Sequence, residues 1–443
     1  MADLKQYRMT ATSAAELVRG VEAAVAAGML APGERLPSVR RLAAEVGLSP
    51  VTVSSALAEL RRRGVVVTER RRGSRVCDGL TLGGRQASLP IPPGARDLAS
   101  GNPDPELLPD IADALGRLTP RRRLYGEEPA LPELVELIRA QLQREGVPGG
   151  PLCVVSGALD GIDRVLAAHL RPGDRVAVED PGYAELYHTV RARGLQLAPV
   201  ALDDRGMLPA ALRSALAAGA GALVLTPRGQ NPTGAALDSA RAEQLRAVLA
   251  DHPEVLVLED DHLGQVAGVP LHTLVGGRRR WAATRSVAKA LGPDLRLAAL
   301  AGDEETVARV QGAQQRGPGW VSYILQSLVL ALLRDAAVAE LTARAAGVYG
   351  GRRERLLECL EARGVSAHGA SGLNVWVPVE DEAAAVGALL QRGWAVAPGA
   401  PYRLTPGRPA IRVTIAALPE PAATALAADL ATALGPRGWA RSG

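Results

Sequence analysis

Apolar positions at the start of the chain repeat at the spacing of an α-helix. Leu17, Val21 and Val25 are four residues apart, which predicts an amphipathic helix over residues 12–28. A shorter apolar stripe over residues 39–46 is followed by a glycine and predicts a second helix. The beginning of the chain is therefore expected to fold into amphipathic helices.

A third helix and a hairpin are predicted directly afterwards. Ser49 is a good N-cap residue, and Pro50 stands at the first helical position, where its missing N–H costs nothing. Two helices joined by a tight turn with glycine form a helix-turn-helix pattern. In residues 65–76, β-branched runs flank an arginine-rich tip, which predicts a β-hairpin wing.

From residue 97 onward the pattern changes to short apolar runs that alternate with helical segments. The runs end in Gly, Asp or Pro and lie at residues 152–157, 174–180, 221–227 and 254–261. This alternation predicts an α/β domain with a mainly parallel sheet. Ligands bind at the carboxyl ends of the strands in such sheets, so the polar residues that follow the runs are candidate site residues.

Composition and cysteine spacing exclude several classes of protein. The chain has 443 residues, 47% hydrophobic and 22% charged, which is typical of a globular protein of two or three domains. A disordered chain, a collagen and a disulfide-dense small protein are excluded. Cys77, Cys153 and Cys359 stand far apart, so we expect reduced thiols, no disulfide framework and no metal site.

Neither a membrane span nor a signal peptide is expected. The longest uncharged stretch, residues 317–333, contains Gly, Pro, Ser and Gln, which disfavours a membrane span. The first ten residues lack the apolar core of a signal peptide. We therefore expect a cytoplasmic protein.

Basic charge is concentrated at the start of the chain. Residues 1–78 carry 13 Lys and Arg against 8 Asp and Glu, a net charge of +5, whereas the other residues sum to −1. A small basic module on a near-neutral body favours a polyanion partner for that module. Residues 79–96 are rich in Gly and Pro and predict a linker, which divides the chain into domains 1–78 and 97–443.

The residues expected to contact double-stranded DNA lie on the second helix of the turn and around it. In this pattern that helix enters the major groove, and nearby arginines neutralise phosphates. The expected phosphate contacts are Arg40, Arg41, Arg70, Arg71 and Arg72. The helix offers the small residues Ser49, Thr52, Ser54 and Ser55, so we expect modest direct base readout.

Three strings in this module resemble the GntR-type winged helix-turn-helix. They are P-G-E-R-L-P-S-V-R-R-L-A, L-S-P-V-T-V and R-R-G-S-R-V, within residues 12–77. The chain departs from the pattern at Pro50 and Val51, where GntR modules usually place Arg. The resemblance implies the fold and DNA binding, and it leaves the operator sequence open.

Lysine is so scarce that one internal lysine becomes a candidate for chemistry. The chain has Lys5 and Lys289 as its lysines, against 49 arginines. A lysine amine can form a Schiff base with an aldehyde, whereas an arginine stays protonated. Lys289 is therefore a candidate covalent anchor.

Four further clusters follow strand-like runs in the same domain and complement this lysine. They contain Ser156-Gly157-Ala158, Asp180-Pro-Gly-Tyr183, Asn231-Pro-Thr-Gly and Glu259-Asp260-Asp261-His262. A carboxylate beside a pyridinium nitrogen keeps pyridoxal phosphate an electron sink. Hydroxyls, an arginine and backbone N–H groups hold a phosphate, and an aromatic ring can cover the cofactor.

Together these clusters resemble the fold type I aminotransferases over about residues 97–440. The resemblance implies a mainly parallel sheet with a smaller C-terminal subdomain and bound pyridoxal 5′-phosphate (PLP). It implies that Lys289 forms the Schiff base, Asp260 pairs with the pyridine nitrogen, Asn231 bonds the ring hydroxyl and Tyr183 stacks on the ring. His262 stands where many relatives have Tyr and would bond the ring oxygen in a pH-sensitive way.

The same resemblance implies the phosphate site and two longer-range roles. The phosphate would be held by Ser286, Arg296 and the backbone N–H groups at Gly157 and Ala158, with Ser156 beside them as a further cofactor-binding residue. Tyr125 would reach the phosphate of the neighbouring subunit, and Arg412 would bind a carboxylate of a substrate or effector. Simpler roles stay open: His262 as a structural histidine, Arg412 paired with a carboxylate of the protein, and Tyr183 in core packing.

A GntR-type module joined to an aminotransferase-like domain is similar to the MocR family of transcriptional regulators. The strings T-P-R-G-Q-N-P-T-G and S-V-A-K-A-L-G-P-D-L-R-L-A look most like the PtsJ-type regulators of vitamin B6 salvage. The resemblance implies a homodimer, with domain swapping as one arrangement, that binds PLP and DNA. It implies repression of B6 salvage genes such as a pyridoxal kinase, with PLP as effector, rather than an enzyme.

Two other functions remain open at this stage. The chain could be a working PLP-dependent aminotransferase with an accessory DNA-binding module, because Arg412 and the Lys289–Asp260 pair are present. It could also be an activator that senses an amine through the Schiff base. The residues leave open the sign of regulation, any transaminase half-reaction and the size of the inter-domain motion.

Overall fold

The computed structural model describes most of the chain, namely residues 11–26, 29–31, 33–62, 65–69, 73–76, 91–119 and 121–434. The described residues form two compact units. One contains the described chain up to Val76 together with 170–175 and 185–197, and the other contains the remainder. The predicted DNA contacts Arg70, Arg71 and Arg72 lie outside the described residues, as do residues 79–90 of the predicted linker.

The first unit opens with three helices and a two-stranded hairpin. These elements are α1 (Ala14–Ala26), α2 (Val39–Val46), α3 (Pro50–Arg62), β1 (Val66–Glu69) and β2 (Gly73–Val76). The two strands pair antiparallel, and all three helices bury apolar side chains in one core, including Leu17, Leu42 and Val53. The predicted winged helix-turn-helix fold is confirmed.

Short polar side chains fix the turn between α2 and α3. Ser38 caps α2 by accepting a hydrogen bond from the Arg41 N–H at 3.4 Å. The helix ends at Gly47, whose φ of +73° favours glycine. Ser49 then accepts from the Thr52 N–H at 3.1 Å, as its predicted N-cap role requires.

The second unit contains two sheets. Its strands are β3 (Arg96–Leu98), β4 (Leu152–Val155), β5 (Arg175–Asp180), β6 (Gln196–Asp203), β7 (Gly206–Met207), β8 (Ala220–Leu225), β9 (Leu256–Asp261), β10 (Trp281–Ser286), β11 (Ala298–Gly302), β12 (Asn374–Pro378), β13 (Trp394–Pro398) and β14 (Ala410–Thr414). The large sheet has the order β4-β11-β10-β9-β8-β5-β6-β7. The mainly parallel sheet is confirmed from β8 through β10, whereas β11 runs antiparallel to β10 and β4.

Helices alternate with these strands along the chain. They are α4 (Ile111–Gly116), α5 (Pro132–Arg144), α6 (Ala158–His169), α7 (Ala184–Ala192), α8 (Pro209–Ala217), α9 (Ser239–Ala250), α10 (Ala288–Leu291), α11 (Glu304–Gln315), α12 (Tyr323–Arg334), α13 (Ala336–Glu361), α14 (Glu382–Gln391) and α15 (Glu420–Leu434). Strands β4, β8, β9 and β10 are buried along nearly their whole length, as in sheets covered on both faces.

A smaller C-terminal subdomain surrounds the second sheet. Its strand order is β12-β14-β13-β3, with β3 parallel to β13 and the other pairs antiparallel. The subdomain has its own apolar core, to which α13 and α15 contribute Leu356 and Leu426. Arg96, the last residue of the predicted linker, is already the first residue of β3.

The described part of the chain contains neither a candidate membrane-spanning helix nor a candidate metal cluster. None of its helices is long and apolar enough to cross a membrane. None of its residues form a group of three or more His, Cys, Asp or Glu that could hold a metal ion. The two cysteines in this part, Cys153 and Cys359, are buried and unbridged.

Candidate cofactor site

The candidate site residues collect at one edge of the large sheet. Asp260 lies near the carboxyl end of β9, Ser286 ends β10, and Asn231 follows β8. These three strands are parallel neighbours, so their carboxyl ends meet at the same edge. Topology therefore brings together residues that are far apart in the sequence.

Alternation along β9 separates its three consecutive carboxyl groups. Glu259 accepts from the Thr273 hydroxyl at 2.7 Å, and Asp261 lies 2.9 Å from Arg228 Nη2. Asp260 points to the opposite face, since side chains alternate along a strand, and accepts from the Thr284 hydroxyl at 3.1 Å. Asp260 alone of the three can therefore face a ligand at this edge.

The Asp260 carboxyl group lies among groups that shift its pKa in opposite directions. Burial raises the pKa of Asp260, while His262 and the Thr284 hydrogen bond oppose that rise. Burial also lowers the pKa of His262, with Lys289 adding to the effect and Asp260 opposing it. Within the described residues Asp260 has no ion-pair partner. A protonated pyridine nitrogen is a cation that would fit this carboxyl group.

Lys289 is placed by a short turn of helix directly after β10. The Ser286 hydroxyl accepts from the Ala288 N–H at 3.2 Å, at the beginning of the turn that carries the lysine. The Lys289 ammonium group donates to the Gly101 carbonyl oxygen at 2.5 Å. The lysine is half-buried and belongs to the same charge network as His262.

A cradle for an anion lies at the beginning of α6. Gly157 has a φ of +104°, and a Cβ placed on it would lie 3.0 Å from Arg296 Nη2. The guanidinium group therefore lies directly against the Gly157 backbone, beside the N-terminus of a 12-residue helix. Helix N-termini and arginines are both favourable for phosphate. The residues present fit the phosphate of PLP.

The Ser156 backbone N–H is used inside the protein. It donates to Asp160 Oδ2 at 3.0 Å, so this N–H already has a partner in the first turn of α6. The Asp160 carboxylate is in turn paired with Arg164 at 2.9 Å, which offsets its negative charge near the cradle. The Ser156 hydroxyl stays a candidate ligand, as do the N–H groups of Gly157 and Ala158.

Arg412 lies on β14 of the subdomain, and its side chain reaches the site. It is 5% exposed, and its Nη1 donates to Asn231 Oδ1 at 2.9 Å, while Nη2 donates to the Ala99 carbonyl oxygen. Its guanidinium carbon lies 5.0 Å from the centre of the Tyr402 ring. Burial lowers the pKa of Arg412. Arg412 therefore pairs with neutral groups rather than with a carboxylate of the described residues.

Tyr402 was not predicted as a site residue, and hydrogen bonds between two loops hold it near Arg412. Asp180 accepts from the N–H groups of Leu404 and Thr405 at 2.9 and 3.0 Å, and the Gly182 N–H donates to the Tyr402 carbonyl at 2.8 Å. These contacts fasten the loop after β13 to the end of β5, next to Tyr183. Tyr402 and Tyr183 both raise the pKa of Arg412 against the effect of burial, so both tyrosines lie near its guanidinium group.

Tyr125 is not brought to the site of its own chain. It is 93% exposed and packs edge-to-face on Trp320, with ring centres 5.6 Å apart. Leu124 and Ile324 are also exposed, at 73% and 57%. The Tyr125 ring and the large apolar side chains of Leu124 and Ile324 are therefore exposed at the surface of the single chain.

A buried ion network lies behind the site. Arg228 contacts Asp261 with two nitrogen–oxygen distances of 3.0 and 2.9 Å, and it reaches Glu145 at 3.0 Å. Arg285 contacts the same Asp261 at 2.7 Å and also contacts Glu145. Two positive and two negative groups balance here, which makes the burial of Arg228, Arg285 and Asp261 tolerable, while Glu145 is partly exposed. The network ties β9 and β10 to the end of α5.

The predicted DNA contacts that the structure describes are at the surface of the first unit. Arg40, Arg41, Ser54 and Ser55 are exposed, and Thr52 is half-buried. Arg41 is paired with Glu45 on the same helix at 2.7 Å, which leaves Arg40 the stronger candidate for a phosphate. The Ser49 and Thr52 hydroxyls lie 2.8 Å apart within the N-cap.

Comparisons with known proteins match both units. The family described as "Aminotransferase class I and II" matches residues 95–430, and "Bacterial regulatory proteins, gntR family" matches residues 13–76. The chain is 36% identical over 428 residues to the vitamin B6 salvage pathway transcriptional repressor PtsJ of Salmonella typhimurium, covering 95% of this chain and 98% of that protein. It is 30% identical to the HTH-type transcriptional regulator TauR of Rhodobacter capsulatus, covering 79% of each.

Solved structures show the same fold for the second unit. An archaeal alanine:glyoxylate aminotransferase matches with a TM-score of 0.70 and 22% identity, covering 77% of this chain and 90% of that one. A multiple substrate aminotransferase from Thermococcus profundus matches with a TM-score of 0.72 and 20% identity, covering 80% and 95%. The chain belongs to the MocR-type transcriptional regulators, in which a GntR-family DNA-binding domain precedes a domain of the class I and II aminotransferase family.

Proposed function

We propose that this regulator binds PLP and represses genes of vitamin B6 salvage, with PLP as its effector. The observation that carries the proposal is the site at the sheet edge, where Asp260, Lys289 and the Gly157–Arg296 cradle each fit one part of PLP. The 36% identity to a repressor of B6 salvage over nearly the whole chain supports the choice of target genes.

Each part of PLP has a holder among the described residues. Asp260 would pair with the ring nitrogen, and the amide nitrogen of Asn231 would bond the ring hydroxyl, because the Asn231 oxygen already accepts from Arg412. Arg296, the Ser286 and Ser156 hydroxyls and the N–H groups of Gly157 and Ala158 would hold the phosphate. Tyr183 would cover the ring, and His262, neutral because burial lowers its pKa, would bond the ring oxygen. PLP itself supplies an aldehyde for Lys289 and an electron-withdrawing ring.

We assign the chain to a homodimer in which Tyr125 serves the partner's site. Tyr125, Leu124 and Ile324 are exposed in the single chain, and a subunit interface would bury them. The domains 1–78 and 97–443, joined by residues 79–96, and a cytoplasmic location are part of the same proposal. Arg40, Arg41, Ser54 and Ser55, with the wing arginines, would contact operator DNA.

Replacing Lys289 with Ala tests the site assignment. The wild-type chain is expected to give the near-ultraviolet or visible absorption of a lysine-bound PLP, and sodium borohydride reduction should attach the cofactor to a peptide containing Lys289. The K289A chain should lose both signals while keeping its circular dichroism spectrum. Retention of either signal by K289A would place the covalent anchor elsewhere.

A working aminotransferase is the second candidate function. Arg412 favours it, because a buried arginine that pairs with no carboxylate of the described residues suits the carboxylate of an amino acid. An assay with pairs of amino acids and keto acids separates the two functions. A regulator is expected to stop after at most one half-reaction, whereas sustained turnover would establish the enzyme.

A further inference from the structure

One short segment supplies backbone carbonyl groups to two cations of the candidate site. Lys289 Nζ donates to the Gly101 carbonyl oxygen at 2.5 Å. Arg412 Nη2 donates to the Ala99 carbonyl oxygen. The two carbonyls are two residues apart, so a single stretch of backbone, residues 97–101, contacts both side chains. We call this stretch the carbonyl segment.

Local hydrogen bonds hold the carbonyl segment in the shape that presents these oxygens. Asp97 Oδ1 accepts from the N–H groups of Ala99 and Ser100, each at 2.9 Å, and closes a tight turn. Gly101 has a φ of +70°, and a Cβ placed on it would lie 3.5 Å from Arg412 Nη2. The segment therefore lies against the guanidinium group in a conformation that suits glycine.

The carbonyl segment is also the first stretch of the second unit after the predicted linker. Arg96 starts β3 and is fixed to the subdomain, because its N–H donates to the Gly393 carbonyl at 2.8 Å and its side chain donates to Ala417 at 3.0 Å. The residues that precede it along the chain, 79–95, lead to the winged helix-turn-helix. Residues 97–101 therefore follow an anchored residue, and they are covalently continuous through it with the chain that leads to the DNA-binding unit.

Ligands of the proposed site compete with the carbonyl segment for the same donors. When an aldehyde condenses with the neutral Lys289 amine, a C=N bond forms and both amine hydrogens leave with the aldehyde oxygen as water. The Gly101 carbonyl then loses its donor. A carboxylate that takes Nη2 of Arg412 likewise displaces the Ala99 carbonyl. A half-buried carbonyl without a donor is less stable than one that accepts a hydrogen bond, so the segment is expected to move.

We propose that the carbonyl segment senses occupancy of the site. Covalent binding of PLP at Lys289 releases the Gly101 carbonyl, a carboxylate at Arg412 releases the Ala99 carbonyl, and the released segment changes DNA affinity through the chain that precedes it. This inference rests on the proposed function, because it takes PLP as the ligand of Lys289. The structure assigns the sensing to backbone atoms of residues 97–101.

Hydrogen exchange in the full-length protein tests the release directly. The Ala99 and Ser100 N–H groups are expected to exchange about tenfold faster when PLP is bound, as loss of one hydrogen bond changes an opening equilibrium by about that factor. The K289A chain without PLP should show the same faster exchange, because it lacks the donor to Gly101. Unchanged exchange in PLP-saturated wild type would overturn the proposal.

The Asp97→Ala variant tests the link to DNA, with Asp97→Asn as its matched control. D97A removes the acceptor that shapes the carbonyl segment, whereas D97N keeps an acceptor oxygen. In D97A the ratio of DNA affinities with and without PLP is expected to fall at least fivefold toward one, while D97N stays near wild type. A wild-type ratio in D97A would overturn the coupling.

Failure of this inference and failure of the proposed function give different results. If wild type shows no lysine-bound PLP absorption, or shows it without any change in DNA affinity, the proposed function fails and the sensing role fails with it. If PLP binds and changes DNA affinity while exchange at residues 97–101 stays constant, the carbonyl segment alone is refuted.

Discussion

Replacing Gly157 with Ala probes the anion cradle with a single methyl group. At a φ of +104° an alanine is strained, by about 1–2 kcal/mol in this left-handed region. Its Cβ would also lie 3.0 Å from Arg296 Nη2 and 3.4 Å from Cζ, so the guanidinium group must move away from the helix N-terminus. A charge-assisted hydrogen bond to phosphate contributes about 1.5–3 kcal/mol, so the Kd for PLP should rise about 10- to 150-fold.

Gly173→Ala is the matched control for this variant. Gly173 has a nearly equal φ of +99°, but a Cβ placed there would meet no atom within 4 Å. Both variants should therefore lose similar unfolding free energy in urea, and only G157A should lose affinity when PLP binding is titrated by absorption. Equal PLP affinities for G157A and G173A would refute a phosphate site between Gly157 and Arg296.

Three further predictions concern the buried groups and the exposed tyrosine. Asp261→Asn should lower the free energy of unfolding, measured in urea, by at least about 3 kcal/mol, because Arg228 and Arg285 lose a negative partner. A decrease below about 1 kcal/mol would contradict a structural role for the network. Burial raises the pKa of Glu179 from 4.5 to about 8, so the unfolded chain releases this proton first and stability falls as pH rises between those values. In the Glu179→Gln variant the unfolding free energy should therefore fall less steeply with pH over that range, by up to about 1.4 kcal/mol per pH unit. An unchanged slope would argue against a buried, protonated Glu179. Tyr125→Ala should weaken PLP binding yet change the unfolding free energy of the chain by less than about 0.5 kcal/mol, since the ring is exposed; unchanged PLP affinity would remove Tyr125 from the partner's site.

Local patterns made the elements and several site residues predictable. Helical spacing of apolar residues gave α1 and α2, and the N-cap role of Ser49 follows from its sequence position. Strand-like runs that end in polar residues pointed to Asp260 and Ser286. These signals are short-range, because caps and periodicity depend on residues within about four positions.

Contacts between distant segments were beyond the reach of those patterns. The Arg412–Asn231 pair joins residues 181 positions apart, and Lys289 meets Gly101 across 188 positions. Both contacts depend on how the subdomain sheet meets the large sheet, which no local spacing encodes. The contact between the Ser156 N–H and Asp160 is short-range by comparison, because it lies within the first turn of α6.

The side on which each carboxyl group of β9 lies could have been predicted more fully. Strict alternation places Glu259 and Asp261 on one face and Asp260 on the other. Asp260 was predicted by resemblance, and no role was predicted for Glu259 and Asp261. In the structure Glu259 accepts a hydrogen bond from Thr273, and Asp261 pairs with Arg228 and Arg285. Both neighbours therefore stabilise this edge of the sheet.

Binding of the DNA upstream of the chain's own gene, measured by fluorescence anisotropy with and without PLP, tests the central claim most directly. The wild-type protein should bind this DNA specifically, with an affinity that differs clearly between the PLP-free and PLP-saturated forms, and K289A should show no such difference. Equal, tight binding in both forms would contradict PLP as the effector and turn the search toward amine ligands. No specific binding in either form would contradict a regulator of its own locus and favour the enzyme.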